Sequence, residues 1–507
     1  MRLPYPTRIN INHVLIGAVL LLFAQLLDGT DPIFAFLASL AMVFSAMAFN
    51  TLNGLATTSG AFVFFMAIPT FIILIFIKVF TWEPSDKHFQ QPMITITATA
   101  IGWAGILAAA GLSRRFSAMR NFVRFTARDL ENLKNTSAGL LVIGLFSQVL
   151  LTNYNTGGTG TIWTALNQLN IFVPMATILA TYYEICISRG TRSMNWIVLV
   201  SIFYVAGFGF IAASKQGMYG PFFSYFLVCA ALEYRFRPLQ VMAMLAWLAF
   251  AAGFLFPWAQ YARSMTRQST LTGTVEATIS LLRDPATIPA MYQWYADSLK
   301  ANADVNQVSL CYDRPHGLLD RESLICQDDR LIHVTEHTGP VGLSYLVDGF
   351  EMVVPHFLWP GRITLSLGNI YGRETDEASQ DDFTTAVAWA PIGDAYRELG
   401  WSGIVVAMPI LYFFTFIFLN GVFGDARESP WGLVLVAYAA FAAPGLLLPV
   451  HPQLWGHYVP LILVVMWITR YVAPQVAVIF GFRKIQAKIV QPGQELVPKA
   501  QEVRNVL

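Results

Sequence analysis

The chain has 507 residues, of which 55% are apolar and only 12% charged. A soluble domain carries about 25% charged residues, so this composition excludes an ordinary water-soluble globule and predicts a chain that lives in lipid. The net charge of +1 gives no basis for a nucleic-acid or general polyanion partner.

Runs of about 17 to 25 mostly apolar residues predict transmembrane helices. Twelve occur: Ile11–Leu27, Pro32–Phe49, Ser59–Phe80, Pro92–Leu112, Ser137–Leu151, Ile162–Ile187, Asn195–Ala213, Met218–Glu233, Pro238–Trp258, Trp401–Leu419, Trp431–Pro449 and Leu454–Val472. The predicted fold is an all-α polytopic membrane protein with a large, partly helical extracytoplasmic loop. Arg2 and Arg8 precede the first run and no small-residue cleavage site follows it, so that run is read as an uncleaved helix. With the N-terminus in the cytoplasm, nineteen basic residues fall on inside segments, chiefly 113–136 and the tail from Arg470. The short outside loops hold Lys87 and Lys215, with Lys78 near a helix end. This bias predicts both termini in the cytoplasm and residues 259–400 outside, facing the periplasm if the cell is Gram-negative.

The chain then divides into a first block of nine spans (1–258), an extracytoplasmic cap (259–400), three further spans (401–482) and a cytoplasmic tail (483–507). The cap carries 10 of the 32 basic and 19 of the 31 acidic residues. Its aromatic and apolar runs argue against disorder, and segments 274–282 and 284–299 read as short helices. Cys311 and Cys326 lie 15 residues apart in it. In an oxidising compartment that spacing predicts a disulfide, with two free thiols as the alternative. Such a bridge stabilises by about 3 kcal/mol in the chain-entropy model.

Most motifs exclude more than they assign. His333-Val-Thr-Glu336-His337 matches the H-x-x-E-H pattern that sets two zinc ligands and a carboxylate on one helix face. Gly339 and Pro340 would end such a helix at the second histidine, and two surface histidines near a turn are the simpler reading, so no metal site is predicted. No phosphate-binding loop or nucleotide fold is present, and no cofactor is predicted. No span carries an acidic residue near its centre, which argues against a proton-coupled carrier.

The stretch from Pro355 to Gly403 gathers His356, Arg362, Arg373, Asp394, Arg397 and Glu398 among Trp359, Tyr371, Trp389 and Tyr396, then runs into an apolar span. Charged groups and aromatic rings at a membrane surface suit a charged lipid that carries a sugar. A solvated loop that merely covers the bundle is the bland alternative. Lys215, in Ser214-Lys-Gln-Gly217, and Arg263 lie at outer helix ends, where a cation either snorkels to headgroups or neutralises a phosphate. His451 and His457 flank Trp455 at the start of the last span.

The order of these features resembles the Wzy-type polymerases of O-antigen and exopolysaccharide repeat units. The resemblance rests on the many spans, the lysine at 214–217, the long outside loop, the sequence Pro355-x-x-x-Trp359-Pro-Gly-Arg362, and Gly393-Asp-Ala-Tyr396 leading to Leu399-Gly400-Trp401-Ser-Gly403. This chain departs from the family pattern with Leu399 where an aromatic is usual and Asp394 where glutamate is common. The resemblance covers topology throughout and sequence over about 50 residues. It implies transfer of a growing glycan from an undecaprenyl-pyrophosphate carrier to a sugar hydroxyl of the next lipid-linked repeat unit. Asp394, Arg362 and His356 would be catalytic, and Arg373, Arg397, Lys215, Arg263, Tyr371, Tyr396, Trp359 and His451 would contact substrate. The bilayer and a chain-length regulator protein would be partners. An O-antigen ligase, another lipid-phosphate-dependent glycosyltransferase, or a polysaccharide transporter are the alternatives that the residues leave open.

Overall fold

The computed structural model describes residues 1–116, 125–153, 168–265, 271–305, 311–313, 323–351, 359, 361, 366–383, 387–442 and 466–481. Among the described residues all regular structure is helical, with no strand. The first apolar helices are α1 (Ile11–Leu27), α2 (Pro32–Thr51), α3 (Thr58–Thr81) and α4 (Pro92–Phe116). They are followed by α5 (Ala127–Asn153), α6 (Phe172–Ile187), α7 (Trp196–Ile211), α8 (Lys215–Ala231) and α9 (Pro238–Arg263). Six helices make the next segment: α10 (Leu271–Arg283), α11 (Thr287–Val305), α12 (Ile325–Thr338), α13 (Ser344–Glu351), α14 (Leu367–Glu374) and α15 (Pro391–Leu399). The chain closes with α16 (Gly403–Gly421), α17 (Pro430–Ala442) and α18 (Ala473–Ile479).

Among the described residues five helices, α2, α3, α4, α9 and α16, are long and apolar enough to cross a membrane, and five shorter apolar helices accompany them. Several boundaries differ from those read in the sequence. The helix expected from Ser137 begins at Ala127. The helix expected from Met218 begins at Lys215, because the Ser214 hydroxyl accepts from the Gly217 N–H and caps it there. Lys215 is therefore the first residue of a helix and not part of a turn. The helix from Pro238 continues past Trp258 through Arg263, since Tyr261 and Ala262 are buried beneath α11. Of the last two expected spans, residues 443–465 lie outside the described set, and the final helical stretch runs beyond Val472 to Ile479.

The two ends of the bundle are fastened differently. At one end the N-terminal segment is stitched to the turns by backbone-type bonds. The terminal ammonium donates to the Phe236 carbonyl at 3.0 Å, Ile9 N–H donates to Asn50 at 2.8 Å, and Tyr5 hydroxyl donates to the Leu55 carbonyl at 2.6 Å. At the other end α2 starts on Asp31, whose carboxylate accepts from the Ile33 and Phe34 N–H groups. There the turn 82–91 is tied to the cap by Asp313, which takes hydrogen bonds from Lys87 and His88 and donates its own N–H to Glu83. The N-terminal segment and the cap thus lie at opposite ends of α2.

The disulfide expected between Cys311 and Cys326 is formed, with the two Cα atoms 6.1 Å apart. It links 311–313 to the start of α12, and both cysteines pack into the main apolar core beside Tyr312 and Ile325.

Candidate functional site

Three helices of the segment between α9 and α16, α12, α14 and α15, meet the N-terminal end of α4 in a polar seam. The seam starts from α12, where Ile325, Asp328, Asp329, Ile332 and Thr335 recur at helical spacing and are all buried. Asp329 caps α4: its carboxylate accepts from the Gln90 and Gln91 N–H groups at 2.6 and 2.9 Å and from the Thr95 hydroxyl at 2.7 Å. Burial pushes its pKa up, and those three hydrogen bonds oppose the shift. Asp328 turns to α15, accepting from the Ala390 N–H at 2.9 Å, and its other oxygen has no hydrogen-bond partner among the described residues. Burial holds its pKa well above the usual carboxylate range, and nearby Asp394 adds to this. The approach is so close that a Cβ on Gly393 would stand 2.5 Å from the Asp328 carboxylate oxygen and 3.0 Å from its Cα.

Asp394 is fully buried on α15 and accepts the Tyr371 hydroxyl at 2.8 Å. Burial pushes the Tyr371 hydroxyl well above its usual pKa, and Asp394 adds to this. Tyr371 also meets the Trp389 ring edge to face, with centroids 5.9 Å apart. Two residues on, Tyr396 donates to Glu336 of α12 at 2.6 Å. Arg397 binds Glu374 through Nε at 2.9 Å and donates to the Thr338 hydroxyl and Gly339 carbonyl. The segment leaving α12 then donates from Val341 and Gly342 to the last carbonyls of α15.

The three cap arginines at this seam differ in how they are compensated. Arg397 is neutralised by Glu374, and Arg330 pairs with Glu377. Arg373 makes no ion pair among the described residues, and its Nε has no hydrogen-bond partner there. Its guanidinium lies over the Phe383 ring, 4.5 Å from the centroid, and that ring is 71% exposed.

No family model, curated protein or solved structure matches this chain.

The structure therefore unites five of the residues singled out in the sequence: Tyr371, Arg373, Asp394, Tyr396 and Arg397. Trp359 is half exposed. Arg362, His356 and His451 lie outside the described residues. Arg263 belongs elsewhere: it donates to the Ala213 carbonyl at 3.0 Å, next to the apolar cluster of Trp258, Tyr261 and Met291, and Lys215 starts the helix that follows that elbow. The H-x-x-E-H residues share a helix, with the His333 and His337 rings 4.2 Å apart, but Glu336 is occupied by Tyr396 and His337 Nδ1 contacts the His333 carbonyl. No group of three metal-ligating side chains occurs among the described residues.

Sequence reasoning missed Asp328, Asp329, Glu374 and Phe383. The signal for the first two was available, because both aspartates fall on the apolar face of α12 and a carboxylate on such a face needs donors from a neighbour. The role of Phe383 had no such signal.

Proposed function

We propose that the protein is an integral-membrane glycosyltransferase that polymerises oligosaccharide repeat units carried on undecaprenyl pyrophosphate. In this reading the chain crosses the bacterial inner membrane twelve times with both termini in the cytoplasm, and the cap faces outward. The observation that carries it is Arg373. Its two neighbours at the seam are matched by carboxylates, whereas Arg373 rests on an exposed aromatic ring with no counter-ion among the described residues. A cation held this way fits a phosphate, which the planar guanidinium binds through paired hydrogen bonds, and the ring beside it fits a sugar face.

The reaction breaks the bond between the anomeric carbon and the lipid pyrophosphate and forms one to an acceptor hydroxyl, whose proton must be taken up. Arg373, aided by Arg362, would neutralise charge developing on the departing pyrophosphate. Asp394 is buried beneath Tyr371, so its part here is positioning: it holds the Tyr371 hydroxyl and with it the helix that carries Arg373. That leaves His356 as the acceptor-side base. A chain-length regulator would act on the same product.

The test is the glycan length distribution in cells lacking the gene and complemented with the wild type, Arg373→Ala or Arg373→Lys. Loss of the ladder in Arg373→Ala, by about 100-fold in long chains, with partial return in Arg373→Lys, is expected. A normal ladder from Arg373→Ala, at matched protein level, removes the assignment. Long chains that form but stay on the carrier lipid would mean a ligase.

A further inference from the structure

The hairpin of α10 and α11 has a surface of its own. We infer that it lies in the outer interface of the bilayer, with Ile279, Leu282, Ile288 and Tyr292 set among lipid acyl chains, and not in water as part of a solvated cap. The inference requires only that the apolar helices span a membrane and does not depend on glycan chemistry.

The first argument is the order of residues around each helix. At about 100° per residue, Leu281 and Thr278 form the face of α10 that packs inward, Val275, Ile279 and Leu282 come next, and Glu276 and Arg283 follow. Ile279 and Leu282 are 43% and 53% exposed. On α11 the inward face is Thr287, Met291 and Trp294, the next arc is Ile288 and Tyr292, and Gln293 and Asp297 lie opposite. On both helices an exposed apolar arc separates the packed arc from the charged one. A helix in the headgroup region has this three-part order, because its sides meet protein, hydrocarbon and water.

The second argument is depth. α11 packs along the outer part of α9, a 26-residue apolar helix of which only 17% of the spanning window is buried by protein. Trp294 meets Tyr261, Tyr295 meets Phe256 edge to face, and the Tyr292 hydroxyl donates to the Gly253 carbonyl at 2.8 Å. Gly253 lies in a π-helical turn, 251–255, ten residues before Arg263. Tyr219 supplies the Ala251 carbonyl of the same turn from the other side. Backbone carbonyls in hydrocarbon need protein donors because water is absent. The exposed Tyr292 is thus held at the level of Gly253 on α9, a helix whose Leu248 and Phe250, within five residues of that point, are exposed as well. Tyr292 itself has its ring in the apolar arc and its hydroxyl on a polar partner, as aromatic residues at membrane interfaces do.

The occupant this surface fits is phospholipid acyl chain. The test uses the full chain reconstituted in phosphatidylcholine nanodiscs, with Leu282→Cys or Ile288→Cys carrying a polarity-sensitive fluorophore and the parental chain as background. Leu248→Cys gives the lipid-facing reference and Gln380→Cys the cap-surface reference. Quenching by lipid bearing a doxyl group at carbon 5 is compared with quenching by aqueous iodide. The expected lipid-to-water quenching ratio lies within about two-fold of that at Leu248 and about five-fold or more above that at Gln380. A ratio nearer to that of Gln380 at either position overturns the inference. All four sites are exposed side chains, so folding is retained and the readout stays interpretable.

Discussion

The seam and the hairpin belong to the same segment between α9 and α16, yet opposite forces hold them. The seam is a set of carboxylates, Asp328, Asp329 and Asp394 buried and Glu336 and Glu374 nearer the surface, each accepting a hydrogen bond from another segment, so its cohesion is directional and changes with protonation. The hairpin is held on α9 by rings and one tyrosine bond: Trp294 meets Tyr261 with centroids 5.9 Å apart, Tyr295 meets Phe256, the Tyr292 hydroxyl donates to the Gly253 carbonyl, and Met291 packs in the cluster of Trp258 and Tyr261. Directional bonds fix side chains relative to one another, which a reacting site needs. Apolar contact fixes depth and orientation against the bilayer but leaves rotamers freer. The segment therefore separates the work of placing a site from that of seating it.

Removing a ring from the hairpin's base gives the largest expected effect. Trp258 is buried, and its indole N–H donates to the Phe210 carbonyl at 3.2 Å, so Trp258→Ala loses both packing and a hydrogen bond. The expected cost is about 4 kcal/mol, equal at pH 5 and pH 8, seen as a lower Tm in detergent and faster tryptic cleavage at Arg283. A marked pH dependence would break the contrast with the seam.

At the seam Asp329→Ala leaves two backbone N–H groups and a threonine hydroxyl without their acceptor at the start of α4. The expected loss is about 3 kcal/mol, with cleavage moving to the turn 82–91. Gly393→Ala tests the close approach of α15 to α12. Its new methyl would overlap the Asp328 carboxylate and the backbone behind it, so no side-chain rotation relieves it, and the cost is about 2 kcal/mol. If Gly393→Ala were neutral in Tm, the seam would be looser than its hydrogen bonds imply.

How much of this was legible in the sequence follows from the same contrast. The apolar helices announce themselves by length and hydropathy, and the bounds of α1 coincide with the run from Ile11 to Leu27. Segments 274–282 and 284–299 mark α10 and α11, and Cys311 is paired with Cys326 as their spacing led us to expect. Where a helix stops in the protein is less legible. α9 outruns its hydropathy because Tyr261 and Ala262 pack against α11, and α8 starts early because Ser214 caps it. Partners at the seam are less legible still. Asp394 is visible as a conspicuous acid, but that Tyr371 satisfies it, 23 residues away, depends on two helices meeting in space. The isolation of Arg373 is a property of what its neighbours bind, which no local pattern carries.

The smallest expected effect separates the seam most cleanly from the latch at Asp313. Burial raises the pKa of Asp328 above its ordinary value of 3.8, so the folded protein binds this proton more tightly than the unfolded chain does. Its favourable contribution is then complete below the ordinary carboxylate range and is lost as pH rises through the raised value. Asp313 has the opposite sign, since hydrogen bonds from Lys87 and His88 lower its pKa, and its contribution is lost as pH falls. Asp328→Asn keeps an acceptor for the Ala390 N–H and abolishes the charge beside Asp394. It is expected to gain about 1 kcal/mol at pH 8 relative to the wild type, to gain nothing at pH 4, and to leave the acid limb set by Asp313 unchanged. A destabilised Asp328→Asn at pH 8 would mean that the seam holds this carboxylate charged, and the buried acids would then have to be neutralised by a cation from outside the described residues.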